Sequence, residues 1–417
     1  MTNYNKILSM VSTISDTSIV DTIYNPKNKQ SLFAVKSANA NIGYLQSWKD
    51  EANGTDYSPI CNADTQDGTL LLPSEVMEYE NQQALLNEIK NFIRKYVDLP
   101  EGFLEISARY VMMTWVYDAF DKLPFLRVIG SYGSGKTRFL TAMRSICYRS
   151  TNIGVGVEVA NIFRLTSKYN GTLILDEANF SNTHKHSTIT QILNGSYARD
   201  SKVFRTRLST FEQVSYDLFG PKVFAAHQTY EDPALESRLL TCFLKQTSRN
   251  DIPKVLPRIM EWEEATQLRN KLLMFRFDNF RNVEQFTLQN DLQGVEGFEH
   301  RTQEILAPLF FSLLETKIPN EIMNYLNQME EERYADLTQT EEGEIAMHLM
   351  KMYELGTGQF SPGELAGQLK HLNLSARKIG GILKQFELER NRTNSGFLYK
   401  MTSKSQKEIA QRFRMSI

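Results

Sequence analysis

One octapeptide, Gly130-Ser131-Tyr132-Gly133-Ser134-Gly135-Lys136-Thr137, constrains this chain more than any other feature. It fits G-x-x-x-x-G-K-[ST] at every position, behind the apolar run Phe125–Ile129 and ahead of a helical pattern over 136–148. That arrangement calls for a strand, a tight turn and a helix in succession. Gly130, Gly133 and Gly135, with Ser134, let backbone N–H groups curl around phosphates. Lys136 would neutralise the β/γ charge, and the Thr137 hydroxyl would ligate Mg²⁺. The helix that follows aims its positive end at the anion. A chance match arises in roughly one chain in a hundred of this length. The expected ligands are ATP and Mg²⁺.

The segments around the turn alternate in type over 125–245, which predicts an α/β layer with a parallel sheet. After the helix come an extended piece near 151–157, a helix over 158–168 and a strand Thr172–Asp176. A helix at 187–194, strand-like runs at 202–208 and 211–217, strand Lys222–Ala226, helix-like 233–238 and a strand LLTCFL complete the layer. The strand Thr172–Asp176 ends in Asp176-Glu177, forty positions after Lys136. Asp176 is expected to hold the magnesium shell and Glu177 to act as general base on the attacking water. The plainer reading is an apolar strand meeting an exposed acidic turn; the nearby phosphate loop favours the functional one.

Adjacent Asp176-Glu177 resembles the magnesium strand of AAA+ and superfamily 3 helicase ATPases. The resemblance covers roughly residues 100–315. It implies that Lys222–Ala226 ends in a γ-phosphate sensor, either His227 or Gln228, although Asn or Thr is more usual there. Ala234-Leu235-Glu236-Ser237-Arg238 is similar to the segment in which mini-chromosome maintenance helicases carry an arginine finger. By that likeness Arg238 would reach a neighbouring subunit's γ-phosphate, so a homo-oligomer, a hexamer, is implied. Arg301 to Leu309 resembles a lid helix bearing a second sensor arginine, Arg301. The broader pattern is similar to replication ATPases of phages, plasmids and genomic islands, which implies a DNA helicase or translocase. An ATP-switched initiator or helicase loader is the alternative.

Two regions offer DNA contacts. In the resembled helicases a β-hairpin near 197–207 projects into the ring's pore; Lys202, Arg205 and Arg207 would contact phosphates there, and Phe204 would pack or stack. Strand alternation puts Arg205 and Arg207 on one face and Phe204 on the other. A solvated edge strand kept unpaired by its charge is the bland alternative, and Arg205 facing a neighbour's ATP is a third. From 341 the chain reads as helix, turn, helix, turn, helix and β-hairpin, a winged-helix pattern. Ser361-Pro362 and Ser375 start its second and third helices. Arg377, Lys378 and Lys384 are left facing outward, and Arg392 falls on the wing. Between Lys370 and Lys404 eight Lys/Arg face two acids, a local +6 in a chain of net charge −2.

The expected fold class is therefore α/β: a P-loop AAA+ core with a parallel sheet, a helical lid, a C-terminal winged helix and a small N-terminal domain. The expected division is 1–82 accessory, 83–248 ATPase core with preceding helices, 249–335 lid, and 336–417 winged helix. Within the accessory part only short strand-like runs at 31–36 and 69–72 are legible. The helices before the core are expected at 83–96 and 104–120. With 47 basic against 49 acidic side chains, nucleic-acid binding must come from local patches. Cys61, Cys147 and Cys242 are too few and too scattered for a disulfide scaffold or zinc site, which fits a reduced, cytoplasmic setting in a bacterial or archaeal host. No signal peptide and no membrane span is expected. His184 and His186 read as a solvated polar loop rather than metal ligands.

Overall fold

The computed structural model describes residues 7–9, 13–14, 18–37, 41–50, 54–153, 159–176, 184–206, 211–230, 232–338, 340–393, 396–413 and 415. The chain divides into two compact units, Met1–Met323 and Asn324–Ile417. No described helix is long and apolar enough to cross a membrane.

The first unit is built on a five-stranded sheet. Its spatial order is Leu239–Leu244, Phe125–Gly130, Lys222–Ala226, Leu173–Leu175, Thr151–Ile153, and every pairing is parallel. In chain order that is 5-1-4-3-2, so the strand entering the glycine-rich turn lies inside the sheet. Strands covered on both faces must be apolar throughout. Phe125–Ile129 and Lys222–Ala226 are accordingly buried at every residue, with Arg127 and Lys222 as charged exceptions. The mixed α/β class and the parallel sheet are as the alternating pattern predicts.

Residues 18–37 form a hairpin, Ser18–Asn25 against Gln30–Ser37, inside a four-stranded antiparallel sheet. From it Asp21, 1% exposed, reaches into the core: Arg149 Nη2 donates to it at 2.5 Å, Tyr148 Oη at 2.7 Å, and Arg276 Nε lies 3.3 Å away. Arg276 also pairs with Asp118 at 2.6 Å. A buried cation persists only when so compensated. These bonds tie the N-terminal hairpin to the end of the helix Lys136–Ile146 and to the long helix Glu263–Gln289.

Three expectations are corrected. The run 69–72 is not a ladder strand, since only Leu70 makes an isolated bridge, with Thr151. The helix expected over 104–120 spans Glu101–Thr114, because Arg276 Nη1 donates to the Trp115 carbonyl at 2.7 Å and a 3₁₀ turn follows at Tyr117–Ala119. His184 and His186 open the helix His184–Gly195 instead of lying in a loop.

The second unit holds helices Glu341–Glu354, Pro362–Gln368 and Ala376–Gln385, then the antiparallel pair Glu389–Thr393 and Gly396–Lys400. Ser361 makes a capping box with Glu364 and Ser375 caps Lys378 N, as the sequence anticipates. Ile345, Leu349, Ile379, Ile382, Leu383 and Phe386 share one core. A further helix, Ser403–Phe413, lies beyond the expected pattern; it packs through Ile409, Ala410 and Phe413.

Candidate functional site

The turn Gly130–Lys136 joins its strand to its helix as the motif requires. A Cβ at Gly130 would lie 2.4 Å from Ser134 Oγ and 2.9 Å from the Leu244 carbonyl, so only glycine fits this close approach. Gly135 caps the helix at φ +98°, with no side chain over the first-turn N–H groups. Those amides are the fixed donors an anion would use. Lys136 Nζ folds over the loop and donates to the carbonyls of Gly130 at 2.6 Å and Ser131 at 3.0 Å. Ser134 Oγ is buried with no partner among the described residues. A glycine cradle, an ammonium held at its rim and an orphaned hydroxyl fit a polyphosphate. Thr137 is exposed on the first helical turn. Gln246, which no motif marks, also belongs here: a Cβ built at Gly133 would meet its Nε2 at 3.5 Å.

Strand register brings the other expected groups to the same edge. Ile129 pairs with Ala226, so His227 is level with Gly130. Leu175 pairs with Phe224, which sets Asp176 level with Ala225, two steps back. The carboxyl ends of parallel strands are where ligands bind in such sheets. Asp176 is half-buried, while His227 and Gln228 are exposed. Glu177 lies outside the described residues. Thr137 and Asp176 are the oxygen ligands that could share a magnesium ion.

Arg238 and Arg301 are not brought to this loop. Arg238 precedes Leu239, which pairs with Phe125, five residues before Gly130. That separation is about 17 Å along the strand. Both arginines instead lie against Tyr197: guanidinium carbons lie 4.3 Å (Arg238) and 4.9 Å (Arg301) from the ring centroid, and Arg301 Nη1 donates to the phenol oxygen. Arg238 is 8% exposed and donates to Asn194 Oδ1 at 2.7 Å. Burial pushes the Tyr197 phenol up, but Arg301 and Arg238 outweigh it and leave it below its ordinary value. The motifs of Arg238 and Arg301 are 63 residues apart in the chain (301 − 238), and neither of them points to Tyr197, the group that unites them.

The hairpin forms as Lys202–Thr206 against Gln213–Asp217. Val203, Arg205, Val214 and Tyr216 fall on one face. That face turns to the helix Val159–Tyr169, with the Tyr216 ring tilted against Phe163 at 4.8 Å and Arg205 5.4 Å over the same Phe163 ring. Lys202 and Phe204 share the opposite, exposed face, so Lys202 and Arg205 do not act side by side. Arg207 lies outside the described residues. Phe211, at the far end, is 82% exposed. In the second unit Arg377, Lys384 and Arg392 are exposed, while Lys378 pairs with Glu341 at 2.6 Å.

No family model and no curated protein matches the chain. Among solved structures it is similar to the apo C-terminal region of NrS-1, at 13% identity and a TM-score of 0.37, over 92% of this chain and 95% of that one. It is similar to an MCM homolog from Methanopyrus kandleri at 10% identity and TM-score 0.36, over 74% and 71% of the two chains. A JCV helicase matches at 12% identity and TM-score 0.28, over 54% and 60%. Likenesses this distant say nothing by themselves about activity.

Proposed function

We propose that this chain is an ATP-hydrolysing motor that works on DNA as a ring of identical subunits, a helicase or translocase. The observation that carries the reading is a division of labour across one sheet. The phosphate loop, Asp176 and the sensor position share its carboxyl edge, while Arg238 and Arg301 gather on Tyr197 at the amino edge, beyond reach of their own loop. Such a subunit has half a catalytic site at each edge, and stacking subunits would complete it. Gly130, Gly133, Ser134, Gly135 and Lys136 would hold the triphosphate, with Thr137 and Asp176 on the metal and Glu177 orienting water. Mg²⁺ would neutralise charge between the β- and γ-oxygens. Arg238 and Arg301, supplied by the next subunit, would stabilise charge developing on the phosphoryl group.

The DNA part rests on local charge and aromatic surface. Lys202 and Phe204 offer a phosphate contact and a stacking face together. We read the second unit as a winged helix whose Arg377, Lys384 and Arg392 touch duplex phosphates, with Lys378 weakened by its pairing to Glu341. Replication of a mobile element and a ring of six follow from the resemblance alone.

The deciding experiment measures ATP hydrolysis with and without single-stranded DNA, for wild type, Glu177→Gln and Lys202→Ala/Phe204→Ala. Stimulation by DNA that the hairpin variant loses is the expected result. Hydrolysis indifferent to DNA, with the hairpin variant unchanged, would leave an ATP-switched initiator or loader instead.

A further inference from the structure

Arg127 is an unexpected residue for its place. It sits midway along the strand that enters the phosphate loop, at 1% exposure, where a parallel sheet covered on both faces calls for apolar side chains. A buried guanidinium persists only with a charged partner and its hydrogen bonds made. Glu236 supplies both, with Nη1 donating to Oε1 at 2.5 Å and Nη2 to Oε2 at 2.6 Å. Thr241 Oγ1, on the neighbouring strand, accepts from Nε at 3.1 Å and Nη2 at 2.9 Å. The Tyr230 ring lies 5.0 Å from the guanidinium.

Glu236 also reaches outward. Its Oε1 accepts the backbone N–H of Tyr230 at 2.5 Å. Tyr230 lies two residues after Gln228, and Arg238 two residues after Glu236. One carboxylate therefore joins the strand that carries the phosphate loop, the segment leaving the sensor strand, and the helix Pro233–Glu236 that leads into Arg238. That helix is pinned at its other end too. Asp232 Oδ1 caps Leu235 N at 2.9 Å, and Asn194 bridges Asp232 Oδ2 at 3.2 Å to Arg238 Nη1 at 2.7 Å.

We propose that the Arg127–Glu236 pair is a positioning link: a change at the sensor position, His227 or Gln228, moves the Tyr230 amide, and Glu236 passes the shift to Arg238 at the neighbouring subunit's nucleotide. The proposal rests on the ATPase reading above. It makes Glu236 a group that acts through Arg238 and never touches nucleotide. Occupancy of one site then sets the arginine offered to the next, so the subunits of a ring fire in coordination.

The Arg127→Met/Glu236→Leu double variant tests it, because replacing both partners of a buried pair leaves no orphaned charge. Binding of a fluorescent ADP analogue, kcat, the Hill coefficient for ATP and the melting temperature are measured together. Nucleotide affinity is expected to stay within about twofold while kcat falls at least ~10-fold and cooperativity in ATP is lost. A double variant with wild-type kcat and wild-type Hill coefficient overturns the proposal, whatever its melting temperature. Should the double variant fail to fold, Arg127→Gln/Glu236→Met, which leaves no buried charge and gives the Tyr230 N–H no side-chain acceptor at position 236, is measured in the same way, and wild-type kcat and Hill coefficient in it overturn the proposal equally. A wild-type chain that does not hydrolyse ATP sinks the underlying reading, and that result is visible before any variant is made.

Discussion

At the scale of single residues, the phosphate loop is where sequence and geometry agree most closely, and the reason is locality. Most groups in Gly130–Thr137 act on near neighbours in the chain, so a motif can encode them, while Leu244 and Gln246 approach from far along it. The close approach at Gly130 yields the first prediction. Gly130→Ala would press a methyl onto Ser134 and the Leu244 carbonyl, costing about 1–3 kcal/mol by overpacking. Chemical denaturation should show that loss with the fold retained, and a fluorescent nucleotide titration should show weaker binding, because a displaced loop no longer aims its amides at the phosphates. Tyr197 is illegible by contrast, because what matters about it is two arginines brought from positions 238 and 301. Its test separates cis from trans roles. Arg238→Ala is expected to lower kcat by about 10³-fold with nucleotide affinity nearly unchanged, whereas Lys136→Ala should lower both. Equal loss of affinity in the two variants would place Arg238 at its own subunit's nucleotide and contradict the strand register.

At the scale of elements, the strands and helices of the sheet are legible because buried parallel strands write long apolar runs. What the sequence does not convey is how charge is accommodated within such runs. Lys222 begins the strand Lys222–Ala226 fully buried, its ammonium donating to the carbonyls of Leu218 at 3.0 Å and Gly220 at 2.9 Å. Burial drives its pKa down from 10.5 to about 7, with Asp217 opposing the shift. Below about pH 7 the folded and unfolded chains both hold this proton. Between there and the unfolded value only the unfolded chain holds it, so the unfolded state binds more protons and stability rises with pH. Lys222→Met removes that dependence. The melting temperature of wild type relative to Lys222→Met should therefore climb between about pH 6.5 and about pH 9; a constant or falling difference would mean that Lys222 stays charged in the fold. The helix Ser403–Phe413 is hidden in the sequence for a different reason, since three buried apolar positions, Ile409, Ala410 and Phe413, make too sparse a stripe to stand out.

At the scale of the whole molecule, the N-terminal segment is the least legible part, and its bonds explain why. Asp21 finds its partners at Arg149 and Arg276, 128 and 255 residues away (149 − 21 and 276 − 21), and no local pattern foretells a pairing of that range. Its consequence is testable by truncation. A chain starting at residue 83 would leave Arg149 and Arg276 with one buried carboxylate fewer, and breaking a buried pair from one side costs about 3–5 kcal/mol. That is a large share of a marginal stability of roughly 5–15 kcal/mol. The truncated chain is expected to melt far lower or to aggregate. Residues 324–417, with a hydrophobic core of their own, are expected to unfold cooperatively when expressed alone. Asp21→Asn in the full chain distinguishes the charge from the bulk of the hairpin. If it costs nothing while truncation is ruinous, packing and not the ion cluster holds the N-terminal sheet. A loss approaching that of truncation would make the cluster the fastening between that sheet and the end of the phosphate-loop helix. In that case ATP hydrolysis should fall in step with thermal stability, and a thermal-shift series with added ADP should recover part of both, because a ligand that binds only the folded state stabilises it by mass action.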